Sequence, residues 1–361
     1  MRTYADFIAR TWNENILHSV MLELTYRCDL ACVYCYNDKA ARGTPLSAAE
    51  YAALLAELAS LQVMHLVLTG GEPLRHPDFF LIGGEARRLG FVIRIKSNGH
   101  SLSPATVARL RREIDPFVVD LSVHGATAAT HDRQTRVPGS FQRLVTNVGL
   151  LREAGVRVKL NCTLTAWNEG EIEAIFALAD SLQVPLSVNP TVSPRDDGDR
   201  TPLELAPSDE GLRRFYRFLA QRQRDREGEP ALALPAEDGM PPVPVSKHCG
   251  AGSSSLTVDP FGNVYPCVQW RRPLGNLRER SIGEIWRSSA ALRTVREITV
   301  QARATVAAAL PEPAGVHFCP GLAEQLTGSP LAVYPQAARL ARLANAGKGD
   351  PSDGDAAQVG G

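Results

Sequence analysis

Apolar and polar positions follow two periods along the first half of the chain. The short runs Val20–Thr25, His65–Thr69, Val92–Ser97, Phe117–Val123, Val156–Leu164 and Leu186–Asn189 have the length and β-branched content of strands. Between them, Ser47–Ser60, Asp78–Leu89, Ala105–Glu113, Phe141–Ala154 and Glu169–Ser181 carry helical spacing. Ser47 followed by Glu50 reads as a capping box. Gly90 and Gly155 stand where helices end. Consecutive strand–helix units predict a parallel sheet, because parallel strands need crossover connections. The expected fold class is therefore α/β, a partial (β/α)6 TIM-like barrel over residues 21–230, after an N-terminal extension, residues 1–20.

Beyond the sixth strand the pattern changes. Thr191–Thr201 is rich in Pro, Asp and Gly and reads as a loop. Asp209–Glu227 reads as a helix whose Arg213, Arg214 and Arg217 form a solvated face. Residues 231–246 are Pro-rich and read as a linker. Residues 247–335 form a second, small α+β unit. Its strands Ser254–Val258 and Asn263–Pro266 flank a Pro-Phe-Gly-Asn turn as a hairpin. Residues 345–361 lack apolar content and are expected to be disordered.

Composition excludes more than it selects. Lysine plus arginine equals aspartate plus glutamate at 39 each, which argues against nucleic acid or an anionic membrane as the main partner. No apolar run of about 18 residues exists to span a membrane. The N-terminus lacks the apolar core of a secretory signal. Seven cysteines in spaced groups suit a reducing cytoplasm and metal ligation better than disulfides.

Cys28, Cys32 and Cys35 follow the first strand with spacing Cys-x3-Cys-x2-Cys, and Tyr34 precedes the last. A structural zinc site wants four ligands; three close thiolates can hold three irons of a [4Fe–4S] cluster and leave the fourth iron open. Loops at strand C-termini are where barrels place chemistry. The second strand ends in Gly70-Gly71-Glu72-Pro73, where paired glycines let backbone approach a ligand and Glu72 offers an acceptor for an ammonium. Ser97 and Asn98 end the third strand, Ser122 the fourth, and Asn161 lies in the fifth. Hydroxyls and amides there suit ribose or carboxylate recognition, and Arg136 offers a cation for a carboxylate. His124 reads as structural, and Cys162 as a buried free thiol.

The cysteine spacing with its aromatic residue resembles the signature of the radical S-adenosylmethionine (radical SAM) enzymes. That resemblance implies a core [4Fe–4S] cluster whose open iron chelates S-adenosylmethionine (AdoMet). It implies reductive cleavage of AdoMet to methionine and a 5′-deoxyadenosyl radical that abstracts hydrogen from a C–H bond. It also implies that Glu72 holds the methionine amino group, and that an electron donor of flavodoxin or ferredoxin type is a partner.

Cys249, Gly262, Cys267 and the later Cys319 in His-Phe-Cys-Pro-Gly resemble the auxiliary-cluster domain called SPASM, or its shortened form, twitch. The chain departs from the full pattern, since Cys319 stands alone where several cysteines are usual. One auxiliary [4Fe–4S] cluster on Cys249, Cys267 and Cys319 is expected, with His248 or His317 as a further candidate ligand. The alternative is zinc or no metal. Proteins of this architecture often mature ribosomally made peptides by crosslinks, thioethers or epimerisation. A peptide substrate is therefore expected, with a separate leader-binding protein as a possible partner. Two alternatives remain open: a small molecule such as a tetrapyrrole or cofactor precursor, and a non-catalytic iron–sulfur protein.

Overall fold

A computed structural model describes residues 3–38, 40–225, 245–310 and 318–346. Helix α1 (Tyr4–Glu14) precedes β1 (Ser19–Glu23), and α2 (Ala48–Ser60), β2 (His65–Thr69), α3 (Phe79–Arg88) and β3 (Val92–Ser97) follow. Next come α4 (Pro104–Arg109), β4 (Val118–Ser122), α5 (Ala128–Thr135), α6 (Ser140–Glu153), β5 (Val158–Thr163), α7 (Ile172–Ser181), β6 (Leu186–Asn189) and α8 (Asp209–Asp225). The C-terminal part holds β7 (Ser255–Val258), β8 (Asn263–Tyr265), β9 (Gly275–Asn276), α9 (Ile282–Ser288), α10 (Ala290–Ala309), α11 (Pro320–Thr327) and α12 (Pro335–Ala346). All six expected barrel strands form, within two residues of the expected ends. Ser47 caps α2 in a reciprocal box with Glu50, and Gly90 and Gly155 take positive φ after α3 and α6. The 231–246 linker falls largely outside the described residues, as do His317 and nearly all of the tail.

One difference from the sequence reading matters for the site. The hairpin is not a sheet of its own. Strand β7 pairs in parallel with β1, Ser19 opposite Ser255 and Leu22 opposite Val258. A single sheet results, in the order β6-β5-β4-β3-β2-β1-β7-β8-β9, and it does not close. Strand β1 lies inside that sheet, with β2 on its other edge. The hydrophobic spacing that suggested a separate unit could not show this, because pairing partners are set by tertiary contacts.

The two faces of the sheet differ. Ile93, Ile95, Leu121 and Leu160 belong to the apolar core, with Leu55, Leu58, Phe79 and Val148 from the helices. The intervening residues are polar. Arg94 of β3 forms a buried bidentate ion pair with Asp120 of β4, and Asn161 of β5 donates to Asp120 Oδ1 at 3.1 Å. Lys96, two residues from Arg94, shares this face and is exposed. A parallel sheet covered on both faces reads as continuous apolar runs. The alternation here marks a polar face, on which Arg94 and Asp120 are buried as a pair and Lys96 is exposed.

The C-terminal part is clamped to β1 by charge as well. Glu23, fully buried, accepts from Arg271 at 2.7 and 2.8 Å, and Arg271 also donates to Asp196 at 3.0 Å. Tyr26 and Tyr36 point their hydroxyls at the same carboxylate. Burial pushes the Asp196 carboxyl up to about 6, against the pull of Arg271. By contrast, the arginines of α8 pair at the surface, Arg213 and Arg217 with Glu210 and Arg214 with Glu173, as a solvated face should. Replacing Arg271 by Met leaves Glu23 buried without its cation, and is expected to lower stability by about 3 kcal/mol. Denaturant midpoints check this; a loss of only about 0.5 kcal/mol, the scale of a surface pair, would refute it.

Candidate active site

The hydrogen bonding of β1 to β2 continues past the strand ends. Leu24 N donates to Thr69 O at 2.9 Å, Gly71 N to Thr25 O at 2.6 Å and Glu72 N to Arg27 O at 2.9 Å. The loop carrying Cys28, Cys32 and Cys35 is thereby laced to the Gly70-Gly71-Glu72 turn. This explains the glycines physically. A Cβ on Gly70 would lie 2.3 Å from Thr25 O, and one on Gly71 2.5 Å from Arg27 O. The sequence suggested glycines that admit a ligand; the close approach they permit here is that of the cysteine loop's own backbone. Helix α5 holds the other side of the loop, with Ala31 N and Val33 N each 3.0 Å from the carbonyls of Thr135 and Gln134.

The loop gathers polar partners from the strand ends. Asn98 Nδ2 donates to Asp29 Oδ1 at 2.8 Å and lies 3.5 Å from Cys28 Sγ. Ser101 donates to the other oxygen of Asp29, and Leu30 N lies 3.4 Å from Cys28 Sγ. N–H groups aimed at sulfur suit a thiolate ligand. Asn98 is thus brought to the cysteine loop. Ser101 and Asp29 carry no pattern that sequence reasoning could have flagged.

Glu72 is fully buried. Its carboxylate accepts from Ser97 Oγ at 2.9 Å, Asn98 N at 2.8 Å and Leu74 N at 3.2 Å. It therefore ties the second strand's turn to the third. Burial dominates its titration and pushes the carboxyl up from 4.5 to about 7 in spite of the three donors.

Tyr34 hydrogen-bonds His124 Nδ1, and the rings meet edge to face. His124 is buried, and its backbone N–H donates to His131 Nδ1 at 3.1 Å. Burial and the neighbouring His131 hold His124 well below its ordinary value, so it is neutral. It fits a structural role. Cys162 is buried at 2% exposure, and burial pushes its thiol up to about 12, which suits an inert free cysteine. Ser122 is half-buried at the end of β4, with Asn161 opposite it in register. Arg136 is exposed, in the left-handed region at φ 59°, directly after the α5 carbonyls that hold Ala31.

The second thiol group assembles from three segments. Cys249 precedes β7, Cys267 follows β8, and Cys319 caps α11. Gly321 lets α11 sit tightly on the Cys267 loop, since a Cβ there would lie 2.6 Å from Trp270 Cβ. Glu324 of α11 secures the contact through Trp270 Nε1 and Arg272. Burial pushes the Cys249 and Cys319 thiols up to about 12, and the negative charge of neighbouring thiols adds to this. Backbone N–H groups of Ala251, Gln269, Trp270, Gly321 and Leu322 oppose the shift at the three sulfurs. Thiols held high and close are poor anions alone, and iron would displace their protons. His248 Nε2 bonds the Phe318 carbonyl at 2.8 Å, beside Cys319. Three cysteines in each group are the donor set that a [4Fe–4S] cluster with one open iron takes, and on that chemistry both groups fit a cluster.

Comparison with known proteins gives the same assignment. The radical SAM superfamily profile matches residues 22–179, and that of the SPASM iron–sulfur cluster-binding domain matches residues 249–308. The chain is 30% identical over 282 residues to the mycofactocin maturase of Mycobacterium ulcerans, covering 76% of each. It is 29% identical to the AdoMet-dependent heme synthase of Methanosarcina barkeri, covering 76% of this chain and 83% of the relative. It is also 29% identical to the PqqA peptide cyclase of Rhizobium meliloti, covering 77% and 76%. In fold it is similar to the structure of anSMEcpe with bound AdoMet and Cp18Cys peptide, with TM-score 0.64, 15% identity, and 92% and 99% coverage. The chain belongs to the radical SAM superfamily and carries a SPASM iron–sulfur domain. It is an enzyme whose cofactors are a [4Fe–4S] cluster and AdoMet, and its second domain supports an auxiliary cluster.

Two outcomes follow for the site. Glu72 holds a proton in the folded protein that the unfolded chain loses between pH 4.5 and about 7. Its contribution to stability is therefore full below 4.5 and falls as pH rises to about 7. Glu72→Gln should remove that decline, so the variant gains on wild type across this window. Parallel pH profiles of the denaturant midpoint would refute it. Second, alanine at Cys28, Cys32 and Cys35 together should abolish 5′-deoxyadenosine formation while about four irons remain per chain on the other thiols. Iron and sulfide analysis after anaerobic reconstitution checks this; an iron-free, zinc-loaded triple variant would count against the auxiliary cluster.

Proposed function

We propose that this enzyme modifies a ribosomally made peptide at an unreactive C–H bond. One observation carries the reading: the core thiols follow the C-terminal end of β1 and the auxiliary thiols flank the N-terminal end of its neighbour β7, so the two groups stand at opposite ends of one sheet with its polar face between them. Cys28, Cys32 and Cys35 leave β1, and Cys267 leaves the hairpin paired to β1. Lys96 on the polar face lies near enough to Cys267 for its charge to lower that thiol. A substrate lying on this face would span both thiol groups. The core cluster, when bound with AdoMet, supplies a one-electron cleavage that yields a hydrogen-abstracting species. The chain's own residues anchor, orient and keep water out.

The residues assigned to the cofactor are the three core cysteines, Tyr34, the Gly70-Gly71-Glu72 turn, Ser97, Asn98, Ser122, Asn161 and Arg136. The auxiliary cluster is assigned to Cys249, Cys267 and Cys319. A low-potential donor of flavodoxin or ferredoxin type supplies the electron, and a reducing cytoplasm suits the seven free thiols. No described helix is long and apolar enough to cross a membrane.

The similarity to a peptide cyclase supports a peptide substrate. The similarity to a heme synthase over most of both chains supports a second reading, in which a tetrapyrrole lies on the same face. The reduced, reconstituted enzyme should release 5′-deoxyadenosine from AdoMet and change the mass, or invert a stereocentre, of a short peptide encoded beside its gene. Turnover of a tetrapyrrole and not of such a peptide would favour the second reading. Absence of 5′-deoxyadenosine under all conditions would sink both.

A further inference from the structure

The fold leaves one acceptor in the cysteine loop without a donor. Asn37, two residues after Cys35, is buried at 3% exposure. Its Nδ2 donates to Gly70 O at 3.1 Å, which fixes the side chain against the glycine turn. Its Oδ1 is buried and has no hydrogen-bond partner. Buried acceptors normally have one, and an orphan beside a ligand site points to a group that arrives with the ligand.

The neighbouring acceptors narrow the choice of that group. Glu72, the obvious anion, is fully buried, and both its oxygens already accept from Ser97, Asn98 and Leu74. Gly70 O accepts from Asn37 itself. A primary ammonium brings three donors and no acceptor. It would meet the free Asn37 oxygen, and the second lone pair of the Gly70 carbonyl lies beside it. Asn37 also joins the two elements that must be in register for AdoMet to bind, the cysteine loop and the turn after β2.

We infer that Asn37 Oδ1 accepts a hydrogen bond from the α-ammonium of AdoMet and so selects for the amino-acid end of the cofactor. This rests on the reading of the site as an AdoMet site, and the test separates the two. The probes are S-adenosylhomocysteine and its desamino analogue, 5′-deoxy-5′-(3-carboxypropylthio)adenosine, with binding measured calorimetrically on the anaerobically reconstituted protein. Wild type should bind the amino compound more tightly. Asn37→Ala should weaken it by about tenfold, the scale of one charge-assisted hydrogen bond, and leave the analogue unchanged. Equal weakening of both would make Asn37 a scaffold residue only, and no weakening would leave its oxygen to a buried water; either result overturns the inference. Asn37→Asp, which keeps the oxygen, should retain the preference for the amino compound, and loss of that preference overturns the inference too. It decides the matter if the alanine variant fails to take up iron. Failure of wild type to bind either probe would instead overturn the AdoMet site itself.

Discussion

Strand β1 is the element on which the rest depends. Five residues long, it is hydrogen-bonded along both edges, to β2 and to β7. Its register with β2 continues into the loops and sets the cysteine triad against the glycine turn. Its register with β7 brings the hairpin alongside and sets Cys267 at the opposite end of the sheet, beside the start of β7. A one-residue slip would turn every side chain of a strand to the opposite face. Glu23, at the C-terminal end of β1, would then leave its pocket between Arg271 and the tyrosines. The buried ion pair contributes little net stability by itself, since desolvation offsets its attraction. Its use here is registry, because no other residue of β1 can meet Arg271.

The barrel was legible because its signals are local. Strand ends came within a residue or two, since every run but the first is bounded by Gly or Pro and needs no partner to be recognised. The cysteine spacing was legible for the same reason, as it concerns one turn of chain. Helix α10 was also written in the chain, with Leu292, Val295, Ile298, Thr299, Ala302 and Val306 buried along one side.

What was not legible depends on contacts far apart in sequence. No periodicity pairs β7 with β1, or Glu23 with Arg271 248 residues later. The glycine turn shows a subtler limit. A Gly-Gly pair says that something comes close, and cannot say what. Here the backbone of Thr25 to Arg27 comes close, so the turn builds the loop before it can serve a ligand. Likewise Glu72 is a conspicuous acid in the sequence, and only burial and partner geometry reveal that the strand ends claim it. Asn37, an inconspicuous amide, is left with the open oxygen.

The two thiol groups differ in how the protein prepares them. At the core site Cys28 is exposed and receives N–H groups of Leu30 and Asn98, as a cluster that must meet a cofactor requires. At the second site burial holds three thiols protonated, and backbone N–H groups at two loops and the start of α11 stand ready for their anions. The cations nearest Cys267, Arg271 and Lys96, divide the structural from the ligand-facing side. Arg271 is neutralised by Glu23 and Asp196, whereas Lys96 has no carboxylate partner among the described residues. Arg271 therefore serves the fold, holding the C-terminal part to β1, while Lys96 keeps its charge in water on the polar face.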